Sequence, residues 1–436
     1  MQLVPIKTNF GPAWTYGGMS PLVSSMHADH TRTKQHAVPL ASAISGQHAS
    51  AKARRAHSHS AQHISRTKQQ TGIERRHLML LGGAAVAATQ LPSSASGLRA
   101  TAVEAELKPA SVPETVELGK SGLQVSPVGV GAWSWGDRSG YWGYNKGYGK
   151  EDNLAAFKET LSHGISFIDT AEVYGFGLSE EFLGEFMRTT GIKPVIATKF
   201  APLPWRLNAD SVVKGLKGSL SRLGVSQVGL YMQHWPGFLT NAFSNDAYVE
   251  GLGRCVQQGL TQAVGVSNYR EDRIRKATAR LADMGVPLAS NQVQYSLLYR
   301  APESNGVAQA CKESGTTLVA YSPLSQGLLT GKYSADNRPG GARAGAFKPD
   351  RLLEIEPLLS LMRDIGSAHG GKSPSQIAIN WTLCKGALPI PGVKTAKQAR
   401  EAAGSFGWRM TNDQVAALDK VSARIPSSQG APFEKW

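Results

Sequence analysis

The chain has 436 residues and a net charge of +15, from 47 Lys and Arg against 32 Asp and Glu. The excess is uneven: residues 1–110 hold 12 basic and 4 acidic residues, and the rest of the chain holds 35 and 28. No arginine-rich helix, zinc-ligand spacing or aromatic–basic motif accompanies it, which excludes a nucleic-acid binder and leaves a mildly basic protein suited to an anionic partner.

Residues 1–110 carry 8 of the 11 histidines, and Asp29 is the only acid between Met1 and Ile73. Rich in Ser, Ala and basic residues, this stretch has too little apolar surface to fold alone. Its composition is that of an organelle transit peptide. Arg75-Arg76 then precede an apolar stretch of about 14 residues ending at Leu91, too short to span a bilayer. A twin arginine before such a run is the pattern of a Tat-type export signal, and small residues that suit cleavage follow at Ser94–Ser96 and Ala100–Ala102. Three readings stay open: a two-part presequence like those of thylakoid-lumen proteins, a single transit peptide leading to the stroma, or a disordered tail without a targeting role. The first two place the protein in the chloroplast, and none includes an integral membrane segment.

From Thr115 the texture changes. Val116–Leu118 and Leu123–Val125, joined by a Gly-Lys-Ser-Gly turn, read as a hairpin that plugs whatever follows. Eight short apolar runs come next: Ser126–Trp133, Ile165–Ala171, Pro194–Phe200, Val228–His234, Gln262–Asn268, Leu288–Ser296, Thr316–Leu324 and Ala387–Val393. Continuous rather than alternating apolar runs are expected of parallel strands covered on both faces. Helical segments separate them, among them Asp152–His163, Asp210–Leu223, Ala247–Gln258 and Tyr269–Met284. Eight β/α units match a closed (β/α)8 barrel in length, so residues 115–436 form one α/β domain. Asn337–Asp350, rich in Gly, Pro and basic residues, reads as a mobile loop, and Pro374–Cys384 as a helix with Ser373 at its N-cap. Gly129-Val130-Gly131 lacks the third glycine of a dinucleotide fingerprint, so no Rossmann domain is implied. Cys255, Cys311 and Cys384 are far apart and in no CxxC pair, which excludes a disulfide framework and a zinc site.

In such a barrel, chemistry belongs at the C-terminal strand ends. There the second run offers Asp169 and then Tyr174, the third Lys199 and the fourth His234. A carbonyl that receives hydride needs a proton on oxygen. A phenol supplies it reluctantly, with a free pKa of about 10, and a nearby ammonium eases that loss. Asp169 would hold Lys199 charged, and His234 would orient the carbonyl oxygen. Any one of these residues is weak evidence; four complementary groups on consecutive strand ends are not.

On these motifs the chain resembles the aldo-keto reductase family, from Val116 to about Arg409. Phe167-Ile-Asp169-Thr-Ala-Glu-Val-Tyr174-Gly175 looks like the family's second-strand segment. The resemblance implies NADPH-dependent reduction of a small-molecule carbonyl, with Tyr174 as proton donor supported by Asp169, Lys199 and His234. It further implies that Ser267, Asn268 and Gln292 hold the nicotinamide carboxamide and that Tyr321 stacks on the ring. Ser322, Leu324 and the segment Gln326–Lys332 would pass along the pyrophosphate. Pro391, Gly392, Lys394, Thr395, Gln398 and Glu401 would clamp the adenosine and its 2′-phosphate. The family often has Asn after that Glu; here it is Ala402, which removes one adenine contact. Independently, Lys394, Lys397 and Arg400 form a basic cluster of the kind that suits phosphate. Trp133, Trp135, Tyr141, Trp142, Trp205 and Trp235 crowd the strand ends and loops, and suggest an aromatic-lined pocket for a partly apolar carbonyl, with some of them belonging to the core. An alternative from another class is an NADP-binding, redox-sensing regulatory subunit. The oligomeric state stays open.

Overall fold

The eight apolar runs are the strands of one sheet. In the computed structural model, which describes residues 115–427, a two-stranded antiparallel hairpin, β1 (Val116–Glu117) and β2 (Gln124–Val125), precedes them. The sheet strands are β3 (Gly129–Gly131), β4 (Phe167–Asp169), β5 (Val195–Phe200), β6 (Val228–Gln233), β7 (Thr261–Ser267), β8 (Leu288–Gln294), β9 (Thr317–Tyr321) and β10 (Leu388–Ile390). They pair in parallel and in chain order. The barrel closes at Gly131, whose N–H donates to the Pro391 carbonyl at 2.9 Å and which bridges Gly392. Gly129 makes that seam possible: a Cβ there would lie 2.6 Å from Phe167 Cδ1 and 2.9 Å from Ile390 Cγ2. The two glycines that fail as a dinucleotide fingerprint therefore serve barrel closure. The presequence reading falls on residues outside those described.

Two apolar layers result. Inside the barrel, Phe167, Ala197, Leu230, Met232, Ala263, Ala289, Val319 and Ile390 pack with Leu118, Leu123 and Val125 of the hairpin. The hairpin thus seals the N-terminal end, as the sequence suggested. Its turn is seated by Gly119, which donates to Thr317 Oγ1 at 2.7 Å and whose Cβ would collide with the Ala289 carbonyl. Outside the barrel, Ile168, Ile196, Tyr231, Val264 and Val266 face helices through residues such as Phe157, Phe186, Leu216, Leu252 and Ile274.

The helices start where the sequence marks them. Asn208 accepts from Ser211 N at the head of Ala209–Leu223, and Ser373 and Gln376 form a reciprocal capping box at the head of Pro374–Cys384. The long 325–386 interval holds two features that the sequence analysis does not name. A 20-residue helix, Pro349–Ala368, occupies its centre, and Pro357 inside it masks the helical pattern. The expected loop around residues 337–350 holds a 3₁₀ turn, Gly341–Ala346, and is anchored by the fully buried Phe347. Among the described residues no helix is long and apolar enough to cross a membrane, and no cluster of His, Cys, Asp and Glu is fit to hold a metal ion.

Candidate active site

β4, β5 and β6 end at the same mouth, and their registers bring the titratable side chains together. Lys199 is fully buried on β5, beside Asp169 at the end of β4. Its ammonium donates to Asp169 Oδ1 at 2.6 Å, to the Thr170 carbonyl at 2.8 Å and to Tyr174 Oη at 3.1 Å. Three donors meet three acceptors, which fixes the side chain completely. Burial pulls the Lys199 pKa down and pushes that of Asp169 up, and the ion pair opposes both shifts. Tyr174 heads a 3₁₀ turn, Tyr174–Gly177, in which Gly175 and Phe176 take left-handed backbone. The His234 ring meets the Tyr174 ring edge-on at 5.5 Å and lies 4.6 Å from the Trp235 ring. Burial, and secondarily Lys199, hold the His234 pKa well below its ordinary value. The imidazole is therefore neutral near pH 7 and keeps a ring N–H to donate. Its Nδ1 is buried with no hydrogen-bond partner.

A second network joins this group. Gln292 Nε2 donates to Asp169 Oδ2 at 2.8 Å, and Ser267 Oγ donates to the Gln292 carbonyl at 2.8 Å. Asn268 Nδ2 lies 3.1 Å from both Ser267 Oγ and the His234 carbonyl, and Tyr321 Oη donates to Asn268 Oδ1 at 3.0 Å. Asn268 and Ser322 both have positive φ, at 60° and 52°. Backbone held in that region is the mark of a site under a positional demand.

The residues expected at the 2′-phosphate behave unequally. Lys394 donates to the Trp142 carbonyl at 2.8 Å and lies 4.8 Å from the Trp142 and Tyr148 ring centres. Burial, then the charge of Arg343, bring its pKa down to about 8. Gln398 Oε1 accepts from Lys394 N, and Thr395 caps the helix Ala396–Ala403. Glu401 accepts from Ser373 Oγ, and Arg400 is turned to Glu159 at 2.9 Å, so the basic cluster centres on Lys394. Leu324 packs on the outer apolar layer. A Cβ on Gly392 would meet nothing within 4 Å.

Trp135 is one of the aromatics that belong to the core rather than the pocket. It is fully buried, packs on Phe186 and donates Nε1 to the Val393 carbonyl at 2.6 Å, so it is core. Trp133 lies 5.2 Å from the Trp142 ring and 6.3 Å from the Tyr174 ring, at the mouth. Two arginines escaped sequence reasoning. Arg343 holds the Gln326 carbonyl and lies 5.3 Å from the Trp142 ring. Arg206 forms a two-pronged pair with Glu172, whose Oε1 also accepts from Ala201 N at 2.6 Å. Glu172 sits inside the motif between Asp169 and Tyr174; Arg206, 34 residues on, carries no local signal.

The donor set suits a dinucleotide phosphate. Lys394 and Arg343 are neighbouring cations, and Arg343 Nε is buried without a hydrogen-bond partner. Ser267, Asn268 and Gln292 form one hydrogen-bonded group with Asp169 and Tyr321.

The model of the aldo/keto reductase family matches residues 127–423. The chain is similar to the chloroplastic pyridoxal reductase of Arabidopsis thaliana, 39% identical over 317 residues, covering 70% of this chain and 86% of the relative. A Schizosaccharomyces pombe aldo-keto reductase, named with NADP(+), is 30% identical over 312 residues, covering 65% of this chain and 88% of the relative. Among solved structures, the glycerol dehydrogenase of Gluconobacter oxydans superposes with a TM-score of 0.62 at 26% identity, covering 73% of this chain and 98% of that one. Strand ends, seam and matched span agree, and the chain belongs to the aldo/keto reductase family.

Proposed function

We propose that this chain reduces an aldehyde or ketone to the alcohol with NADPH, and that Tyr174 is the proton donor. The observation that carries this reading is the Lys199 ammonium, bonded at once to Asp169, Thr170 and Tyr174. Because Tyr174 Oη accepts from Lys199, its own O–H is the donor toward a carbonyl oxygen, and the adjacent ammonium stabilises the phenolate left behind. Neutral His234 orients that oxygen by donating an N–H. Asp169 keeps Lys199 charged in a buried site. Proton transfer from a placed acid contributes roughly 10²–10⁴ in rate.

NADPH supplies the hydride when bound. Ser267, Asn268 and Gln292 would hold its carboxamide, Tyr321 its ring, and Ser322, Leu324 and Gln326–Lys332 its pyrophosphate. Gly392, Lys394, Thr395, Gln398 and Glu401 would take the adenosine end, with Lys394 on the 2′-phosphate. The NADP(+) in the name of the fission-yeast relative supports that choice. The mouth aromatics Trp133, Trp142 and Trp235 favour a partly apolar carbonyl, and the Arabidopsis relative is named for an aromatic aldehyde. A complete proton-donor arrangement supports turnover over a purely regulatory role.

An aldehyde and ketone panel with NADPH tests this; consumption with none of them sinks the reading. We further assign residues 1–110 to a chloroplast targeting presequence, in line with the chloroplastic relative. Sequencing the mature N-terminus from fractionated chloroplasts checks it, and a chain still starting at Met1 removes it.

A further inference from the structure

Tyr174 and Lys199 stand on different segments, so their approach has to be set from outside the pair. Lys199 is fixed without Tyr174, because Asp169 Oδ1 and the Thr170 carbonyl already hold two of its N–H donors. Tyr174 heads a turn whose next two residues, Gly175 and Phe176, leave helical backbone with φ of 57° and 58°. Backbone of that kind persists only where the surroundings impose it.

One such constraint lies just upstream, at Glu172. β4 and β5 stay in register past their ends: Thr170 N donates to the Ala197 carbonyl at 2.8 Å, and Glu172 N to the Lys199 carbonyl at 3.4 Å. The next bond of a parallel ladder would give the Ala201 N–H to the Glu172 carbonyl. It goes to the Glu172 side chain instead, at 2.6 Å to Oε1. The carboxylate thus replaces the ladder where the chain leaves β4 for Tyr174.

That carboxylate is itself clamped. Arg206 reaches both of its oxygens, Oε1 through Nη1 and Oε2 through Nη2 at 3.2 Å. Nη1 also donates to the Ala201 carbonyl at 3.0 Å, so Ala201 is held by both its polar groups. The guanidinium lies 5.0 Å from the Phe200 ring, and the Arg206 carbonyl accepts from Tyr248 Oη. The side chains of Glu172 and Arg206 are 9% and 22% exposed, so the pair is largely shielded from water, and a two-pronged pair fixes orientation as well as charge. A closed ring results. It runs from Tyr174 back to Glu172, across to Ala201, along β5 to Lys199, and from Lys199 Nζ to Tyr174 Oη at 3.1 Å.

We propose that Glu172, gripped by Arg206, is a positioning residue for proton transfer: it ties the Tyr174 loop to the end of β5 and so sets the approach of Tyr174 to Lys199. This inference rests on the proton-donor reading above.

The test is a double-mutant cycle on the full-length protein, read as kcat with NADPH and the best substrate of the carbonyl panel. Glu172→Ala should lower kcat by about tenfold to a hundredfold, the cost of misplacing a reacting group by about an ångström, with the KM for NADPH hardly changed. Glu172→Gln keeps an oxygen for the Ala201 N–H but turns a donor toward Arg206, so its kcat should fall between the two. In a Tyr174→Phe background the Glu172→Ala change should cost less than about twofold, because the group it positions is gone. Should Glu172→Ala not fold, Arg206→Lys carries the same cycle, since it keeps the charge and loses the two-pronged grip. Equal losses in both backgrounds show that Glu172 acts apart from Tyr174 and overturn the proposal, as does an undiminished kcat in Glu172→Ala. With Tyr174→Phe impaired, the proton-donor reading stands whichever way the cycle falls; near-normal turnover of Tyr174→Phe removes both.

Discussion

The two ends of the barrel are built on opposite terms. At the N-terminal end, Leu118, Leu123 and Val125 of the hairpin complete an apolar layer, and the polar turn is satisfied by Thr317. At the C-terminal end, a charged pair is buried, His234 Nδ1 lacks a partner, and Asn268, Ser322, Phe176 and Leu239 have positive φ. One end lowers the free energy of the folded chain; the other retains features that raise it. Barrel enzymes divide stability and chemistry in this way, and local rules are expected to fail where function is placed.

Substitutions at the two ends should therefore separate in their effects. The largest expected is at Tyr174. Tyr174→Phe keeps the ring and removes the acid, so kcat for reduction should fall by about two or more orders of magnitude. NADPH affinity, measured by fluorescence titration, should hardly change. Near-normal turnover would show that another group donates the proton.

The matching change at the opposite end is Leu118→Ala. Leu118 is fully buried in the inner layer, and truncating such a leucine costs about 2–5 kcal/mol. Denaturant unfolding should show that loss, with kcat per folded molecule intact. A fall in kcat at undiminished stability would mean that the hairpin reaches the chemistry.

A smaller effect is expected at Lys394, at the edge of the mouth. Losing a charge-assisted contact costs about 1.5–3 kcal/mol. Lys394→Ala should thus weaken NADPH roughly tenfold or more and leave NADH nearly unaffected; equal losses would show that Lys394 does not read the 2′-phosphate. The smallest effect is its pH dependence. With a pKa of about 8, Lys394 is charged below that pH and neutral above it. The phosphate is already fully ionised there, its second pKa being about 6. The NADPH dissociation constant should therefore rise as pH increases through about 8, by at most tenfold per unit because one proton is involved. The NADH constant should move less. A flat NADPH profile between pH 7 and about 9.5 would assign the recognition to a neighbouring group, such as Arg343, rather than to Lys394.

Periodicity and composition were enough to locate all eight strands, the sealing hairpin and the Ser373-capped helix, because each is set by neighbours in the chain: an apolar run, a Gly-rich turn, a capping side chain. Strand order then followed, since short β/α connections place successive parallel strands side by side. That same logic brings Asp169, Tyr174, Lys199 and His234 to one mouth. What only the tertiary structure decided are contacts between distant segments. Glu172 finds Arg206, Arg343 finds Trp142, Arg400 turns to Glu159, and Trp135 goes into the core. None of these leaves a local trace, because a charge or a ring has the same sequence signature whatever it faces. Their partners are chosen by the closed barrel, which sets the loops at fixed separations and leaves each side chain only the neighbours that geometry supplies.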